Sequence, residues 1–294
     1  DHETWKAPSN GWSGAVTPAD WVVTGMWDGM YSKVDRETNR YIYYTTQFGS
    51  HHRVDQATGE RVAITPAAAE GEPFYRFTWT TPLALSPHNT SIIYTGAQMV
   101  LRSLDRGNHW EPISPDLTDN DPGKILGKGH IRYCTITTLA ESPVKAGIIW
   151  AGTDDGHVQV TTDHGHTWKD VTASLAVAGA PEKMWVSRVF PSAFDMATAY
   201  VSKSGYTDDV MAPHIYVTND FGVTWKRITK GLPDYPVSVV IEDSRNRNLL
   251  FAGNDNGVWV SLSGGENWEP LRANMPPAVV RDIMIHPREN DLIV

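Results

Sequence analysis

The chain has 294 residues, 40% of them hydrophobic, and a formal charge of −9 from 34 acidic and 25 basic side chains. This length supports a sizeable core, the acidic balance argues against a nucleic-acid surface, which needs a basic stripe, and no stretch reaches the ~18 apolar residues of a membrane-spanning helix. The single cysteine, Cys134, excludes an intrachain disulfide framework; within a β-rich run it reads as a small buried hydrophobe.

In chain order, residues 1–20 contain Glu3-Thr4-Trp5-Lys6 and read as the tail of a preceding β unit. A unit over 21–66 follows, and then units over 67–115, 116–175, 176–233 and 234–273. The last four run strand, anchor turn, strand, short turn, strand, eight-residue turn, strand; the 21–66 unit follows the same order with Asp55-Gln56-Ala57-Thr58-Gly59 in place of the eight-residue turn. The anchors are Ser86, Ser142, Ser192, Asp243 and His286, and each precedes a β-rich run such as Ile92-Ile93-Tyr94 or Ile148-Ile149-Trp150. Before the anchors lie β-branched stretches such as Thr135-Ile136-Thr137-Thr138-Leu139. Residues 274–294 supply the first two strands of a further unit. No long 3.6-residue period stands out, so helix is expected to be scarce. Four short strands per repeating unit predict an all-β fold, a β-propeller of four-stranded blades that is incomplete at both chain ends. Such ends would leave unpaired strand edges, which implies an interior piece of a longer polypeptide.

The eight-residue turn recurs at Ser103, Thr161, Thr218 and Ser261 with one pattern: hydroxyl, Asp two places on, Gly two further, Trp three beyond. The sets are Asp105, Gly107, Trp110; Asp163, Gly165, Trp168; Asp220, Gly222, Trp225; and Ser263, Gly265, Trp268, the last with serine for the acid. The Asp is placed to accept backbone N–H groups of its own turn, and the Gly supplies a positive φ. The Trp is expected to fold back over its hairpin, removing about 150–250 Å² from water. Ser263 makes the same bond more weakly, so the fourth turn is expected to form.

This pattern resembles the Asp-box of sialidase-like, oligoxyloglucan-hydrolase-like and sortilin-type β-propellers. Longer phrases extend the resemblance across most of the chain: Phe77-Thr78-Trp79-Thr80-Thr81-Pro82, Ile113-Ser114-Pro115-Asp116-Leu117-Thr118, Gly152-Thr153-Asp154-Asp155-Gly156 and Trp185-Val186-Ser187-Arg188-Val189. They resemble bacterial secreted, glycosyl-hydrolase-like proteins with sortilin-type propellers. The resemblance implies export from the cytoplasm, a structural role for the boxes and no assigned catalytic residue. It departs from sialidases in lacking an early Arg-Ile-Pro motif.

Propeller ligands usually meet the face whose loops lead into the innermost strands. Residues at those entries are Arg76, Trp79, His130, Arg132, Tyr133, Trp185, Arg188 and Arg281, and arginine forks with aromatic faces suit carboxylates, sugars or protein loops. They form the candidate mouth; the competing assignment makes them wedges between blades. Asp154-Asp155-Gly156 and Asn254-Asp255-Asn256-Gly257 read as tight turns. The loop from Asp119 to Gly123 reads as solvated. Adjacent His51 and His52 face opposite sides of a strand and cannot chelate one metal, and His157, His164 and His166 are placed around the second box. Glu242 and Asp243 lie at the far end of their strand, so no acid pair of a glycosidase is seen. No cofactor, metal or catalytic residue is assigned. The expected function is an extracytoplasmic binding or docking module for a protein, peptide or glycan. The alternatives are a glycoside hydrolase with acids partly outside this stretch, and a structural subunit of a larger assembly.

Overall fold

The computed structural model describes residues 3–9, 11, 14–126, 131–272 and 275–294. It is all-β apart from short 3-10 turns and one short helix, and five of its sheets are four-stranded, antiparallel and sequential. A separate two-stranded pair, β1 (Thr4–Lys6) and β2 (Val22–Gly25), precedes the first of them, which holds β3 (Gly29–Val34), β4 (Tyr41–Thr46), β5 (Ser50–Asp55) and β6 (Arg61–Ala63). Next come β7 (Leu83–Leu85), β8 (Ile93–Gly96), β9 (Val100–Ser103) and β10 (Glu111–Pro112), and then β11 (Ile136–Glu141), β12 (Ile149–Thr153), β13 (Val158–Thr161) and β14 (Lys169–Asp170). The fourth sheet holds β15 (Val186–Pro191), β16 (Ala199–Gly205), β17 (Val210–Thr218) and β18 (Lys226–Arg227). The fifth holds β19 (Val237–Glu242), β20 (Leu250–Asn254), β21 (Gly257–Ser261) and β22 (Glu269–Pro270), and β23 (Met284–Ile285) pairs with β24 (Leu292–Ile293). The sequence places Trp21-Val22-Val23 at the start of the 21–66 unit; in the structure Val22–Gly25 pairs with Thr4–Lys6, and the four-stranded sheet starts at Gly29.

The apolar cores lie between sheets rather than within them. Val158, Val160 and Val171 of the third sheet pack with Val186, Val189 and Tyr216 of the fourth. Ile215 and Ile228 pack in the same way against Val237, Leu250 and Trp268 of the fifth. Each sheet therefore has a buried face only because the next blade covers it, which is what the β-branched alternation of its strands requires.

The eight-residue turns show how each blade is fastened. In the second, Thr161 Oγ1 donates to Asp163 Oδ1 (2.8 Å) and accepts Gly165 N–H (3.0 Å), while Asp163 accepts Thr167 N–H (2.9 Å) and Oγ1 (2.6 Å). Those bonds hold the Asp163 carboxyl down at about 2. In the fourth turn Ser263 Oγ accepts Asn267 N–H at 3.1 Å, so the acid is dispensable to the shape. The residue before the recurring glycine is also left-handed: Arg106 (φ 62°), His164 (φ 63°) and Phe221 (φ 56°), with Gly264 in the fourth turn.

The tryptophans do more than cover their own hairpins. Trp110 Nε1 donates to Ile64 O (2.8 Å), Trp168 to Ile113 O (2.8 Å) and Trp268 to Ile228 O (2.7 Å), each a carbonyl of the preceding blade. Each of those acceptor residues gives its own N–H to the third strand of its own sheet, leaving the carbonyl for its neighbour. Glycine is required in the turn for a second reason: a Cβ on Gly107, Gly165, Gly222 or Gly265 would strike Ile64, Ile113, Val171 or Ile228. Trp225 is the exception. Its expected acceptor, Val171 O, takes the Leu175 N–H of α1 (Thr172–Val177), with Ser174 Oγ at 2.8 Å, and the buried Trp225 Nε1 has no partner among the described residues.

A second fastening runs along the inner strands. β11, β15 and β19 each carry a register shift at their start, at Thr137, Ser187 and Ser238. Thr137 Oγ1 donates to Val186 O (2.7 Å) and Ser187 Oγ to Val237 O (2.8 Å), from blade to blade. The bulge turns these hydroxyls sideways, where a regular strand would aim them up or down.

Replacing Trp168 with Phe strands a buried carbonyl and should cost about 1–3 kcal/mol more than replacing Trp225 with Phe, whose indole N–H has no acceptor to lose. Urea unfolding of both variants measures the difference.

Candidate functional site

Antiparallel register decides which loops share a face. The start of β11 lies beside the end of β12 (Ile136 opposite Thr153), and the start of β13 beside the end of β14 (Gln159 opposite Asp170). The loops entering each inner strand and the turns between second and third strands therefore crowd one face. The eight-residue turns occupy the other.

The structure distributes the candidate mouth residues between two roles. Arg76 is a wedge: Nη2 meets Asp116 Oδ2 at 2.6 Å, Nε donates to Cys134 O at 3.4 Å, and only 12% of the side chain is exposed. Trp79 sits edge-on to Phe48, ring centroids 4.9 Å apart. Tyr133 donates its hydroxyl to Asp154 O at 2.9 Å, and half-buried Trp185 receives Ser204 N–H on its carbonyl. His130 lies outside the described residues. Arg132 is exposed and bonds to no described side chain. Arg281 is exposed too, with Nη1 3.2 Å from both Ser238 Oγ and Asp255 Oδ1 and its guanidinium 5.0 Å from the Tyr206 ring. Cys134, just before β11, is buried and left-handed (φ 60°), its thiol pushed up to about 11 by burial.

Arg188 marks the axis. From β15 its Nη2 reaches Asp282 Oδ1, before β23, at 2.6 Å, and its buried Nε has no partner among the described residues. Tyr31 and Lys33 of β3 feel both of these charges; burial raises the Tyr31 phenol and lowers the Lys33 ammonium. Groups from the first, fourth and last sheets thus share one central space.

Two acids of this face, Asp154 and Asp155, are occupied. Asp154 accepts Thr135 N–H (2.9 Å) and Oγ1 (2.6 Å), and burial pushes its carboxyl up to about 7. Asp155 accepts Thr153 Oγ1 (2.5 Å) and Asp119 N–H (2.7 Å). At 2% and 1% exposure, both serve backbone rather than solvent.

Sequence reasoning missed an ion network here. Asp119, expected to be solvated, binds Lys183 Nζ (2.5 Å) and His157 Nε2 (2.9 Å), while His157 Nδ1 meets Asp170 at 2.7 Å. His157 therefore belongs to this face and not to the box. Ligand atoms of Asp119, Asp155 and His157 lie within 4.8 Å of one another, a spacing that fits a metal. Asp170 and Asp119, however, hold the imidazole protonated up to about 9. A metal there would have to displace that proton, and with the proton in place the ring is the cation that binds the loops. Lys203 completes the framework. Buried and pushed down to about 8, it donates Nζ to Gly156 O (2.9 Å), Pro181 O (2.6 Å) and Glu182 O (3.2 Å), fixing the loop before Trp185. No local motif announces these contacts; they join side chains far apart in sequence.

No protein-family model matches the chain. Over 120 residues, 37% of this chain, it is 30% identical to vacuolar protein sorting/targeting protein 10 of Sordaria macrospora, and that stretch spans 8% of the relative's length. Among solved structures, the GH74 xyloglucanase of Xanthomonas campestris superposes with a TM-score of 0.58 at 20% identity, covering 82% of this chain and 38% of that one. YCF48 bound to D1 peptide gives 0.51 at 9% identity, covering 92% and 72%. The fold is a β-propeller of four-stranded blades. Among the described residues, no helix is long and apolar enough to cross a membrane.

The folded-state pKa of His157 lies above the ~6.5 of a free imidazole, so the clamp's stabilisation is complete below about pH 6.5 and is lost as pH rises through about 9. Between about pH 7 and 10 the unfolding free energy of the wild type, read from urea melts, should fall further than that of His157→Gln, by on the order of 1 kcal/mol.

Proposed function

We propose that this propeller is an extracytoplasmic binding module whose loop face takes a protein or peptide segment. The observation that carries this reading is the division of labour among the mouth residues. Arg76, Tyr133, Lys203 and the His157 network hold the loops, leaving Arg132 exposed and Arg281 exposed beside Tyr206. Arginine and aromatic rings on a pre-organised frame are the usual anchors of protein interfaces. Two of the solved neighbours are a peptide-bound protein and a xyloglucanase, so peptide and glycan ligands are the two classes to compare.

A glycoside hydrolase reading requires two carboxyl groups about 5–10 Å apart facing an open groove. Asp154 and Asp155, with their oxygens bonded to backbone and threonine donors, do not support it.

Peptide and glycan arrays probed with the chain and with an Arg132→Ala/Arg281→Ala variant test the proposal. Peptide binding that the double variant weakens about tenfold or more is the expected result. Binding confined to glycans, or release of reducing sugar from xyloglucan, would overturn it.

A further inference from the structure

A second charged surface lies away from the mouth, where the rims of the first two four-stranded sheets meet. Tyr41 opens β4, with Arg40 before it and Arg53 across on β5; Arg106 comes from the eight-residue turn of the next blade. The guanidinium carbons of Arg40, Arg53 and Arg106 stand 5.2, 5.8 and 5.2 Å from the centre of the Tyr41 ring. Three like charges on one phenol is a costly arrangement in a chain whose net charge is −9.

Only one of the three is neutralised. Asp55 takes Arg40 as a fork, Nη2 at 2.7 Å and Nε at 3.0 Å. Asp35, which shares the surroundings of Tyr43 with Arg53 and Arg106, is buried and engaged by Glu37 N–H and the Thr38 hydroxyl. The acceptors of Arg53 are neutral: Arg106 O at 2.7 Å and Asn108 Oδ1 at 3.2 Å. The Arg106 guanidinium has no acceptor among the described residues, and its Nε is buried. The turn itself does not need a cation there. At the same position His164 packs over Gly147 and Phe221 packs into the apolar core.

We propose that Arg53 and Arg106, braced on Tyr41, form a docking site for an acidic segment of a partner protein. A ring facing guanidinium groups offers about 0.5–2 kcal/mol of cation–π attraction, which orders the forks without discharging them. Bound carboxylates supply the missing acceptors in the bidentate geometry that guanidinium prefers. A protein segment fits better than a glycan, because three guanidinium groups already crowd the Tyr41 ring on which a sugar would stack. This surface is built from different blades and residues than Arg132 and Arg281, and it stands whether or not the mouth binds peptides.

The test is fluorescence anisotropy of a labelled oligoglutamate peptide, with dextran sulfate as the competing polyanion probe. The wild type should bind the peptide in a salt-sensitive manner, Arg53→Gln/Arg106→Gln should weaken binding about tenfold or more, and Arg132→Ala/Arg281→Ala should leave it unchanged. The peptide should also protect Arg53 and Arg106 of the unmodified chain from phenylglyoxal, read by mass spectrometry, so the result does not depend on the variant folding. Undiminished binding in the double variant, a lack of protection, or binding of dextran sulfate without the peptide would each overturn the proposal.

Discussion

Everything in this molecule depends on how one blade is tied to the next. A four-stranded twisted sheet with two apolar faces cannot stand in water, and here each apolar cluster is shared by neighbouring sheets. Burial is non-directional, so it cannot set the angle between blades. Hydrogen bonds do that at two radii. Bulge hydroxyls of Thr137 and Ser187 fix the inner strands, and the indoles of Trp110, Trp168 and Trp268 fix the rim. The turn's glycine lets the preceding blade approach close enough for the indole bond to form.

That arrangement separates stability from function. The rim fastenings use the face with the eight-residue turns, so the opposite face is free to vary its loops. Even there, most polar side chains are occupied with architecture. Lys203 and the imidazolium of His157 act as internal cations that hold long loops through carbonyls and carboxylates. Arg132 and Arg281 stay exposed beside that framework.

The repeat and the strand grammar were legible in the sequence because periodic turns and β-branched runs are local signals. The acid-free fourth turn was legible too, since Ser263 keeps one acceptor in the right place. The interblade role of the tryptophans was not. An eight-residue pattern describes its own hairpin, and the carbonyl that the indole seeks lies in the preceding blade. The same holds for the mouth. Arg76 and Arg132 look alike in sequence, and only folding shows one spent on Asp116 and the other exposed. Trp225 is the sharpest instance: its motif is intact, yet the helix after Val171 takes the carbonyl.

If the indole N–H groups are interblade bonds, their hydrogen exchange reports it directly. With the indoles assigned by single Trp→Phe substitutions, Trp110, Trp168 and Trp268 should exchange at the slow rate of global opening, while the unpartnered Trp225 exchanges faster. Equal protection of all four, or Trp225 among the slowest, would contradict the account.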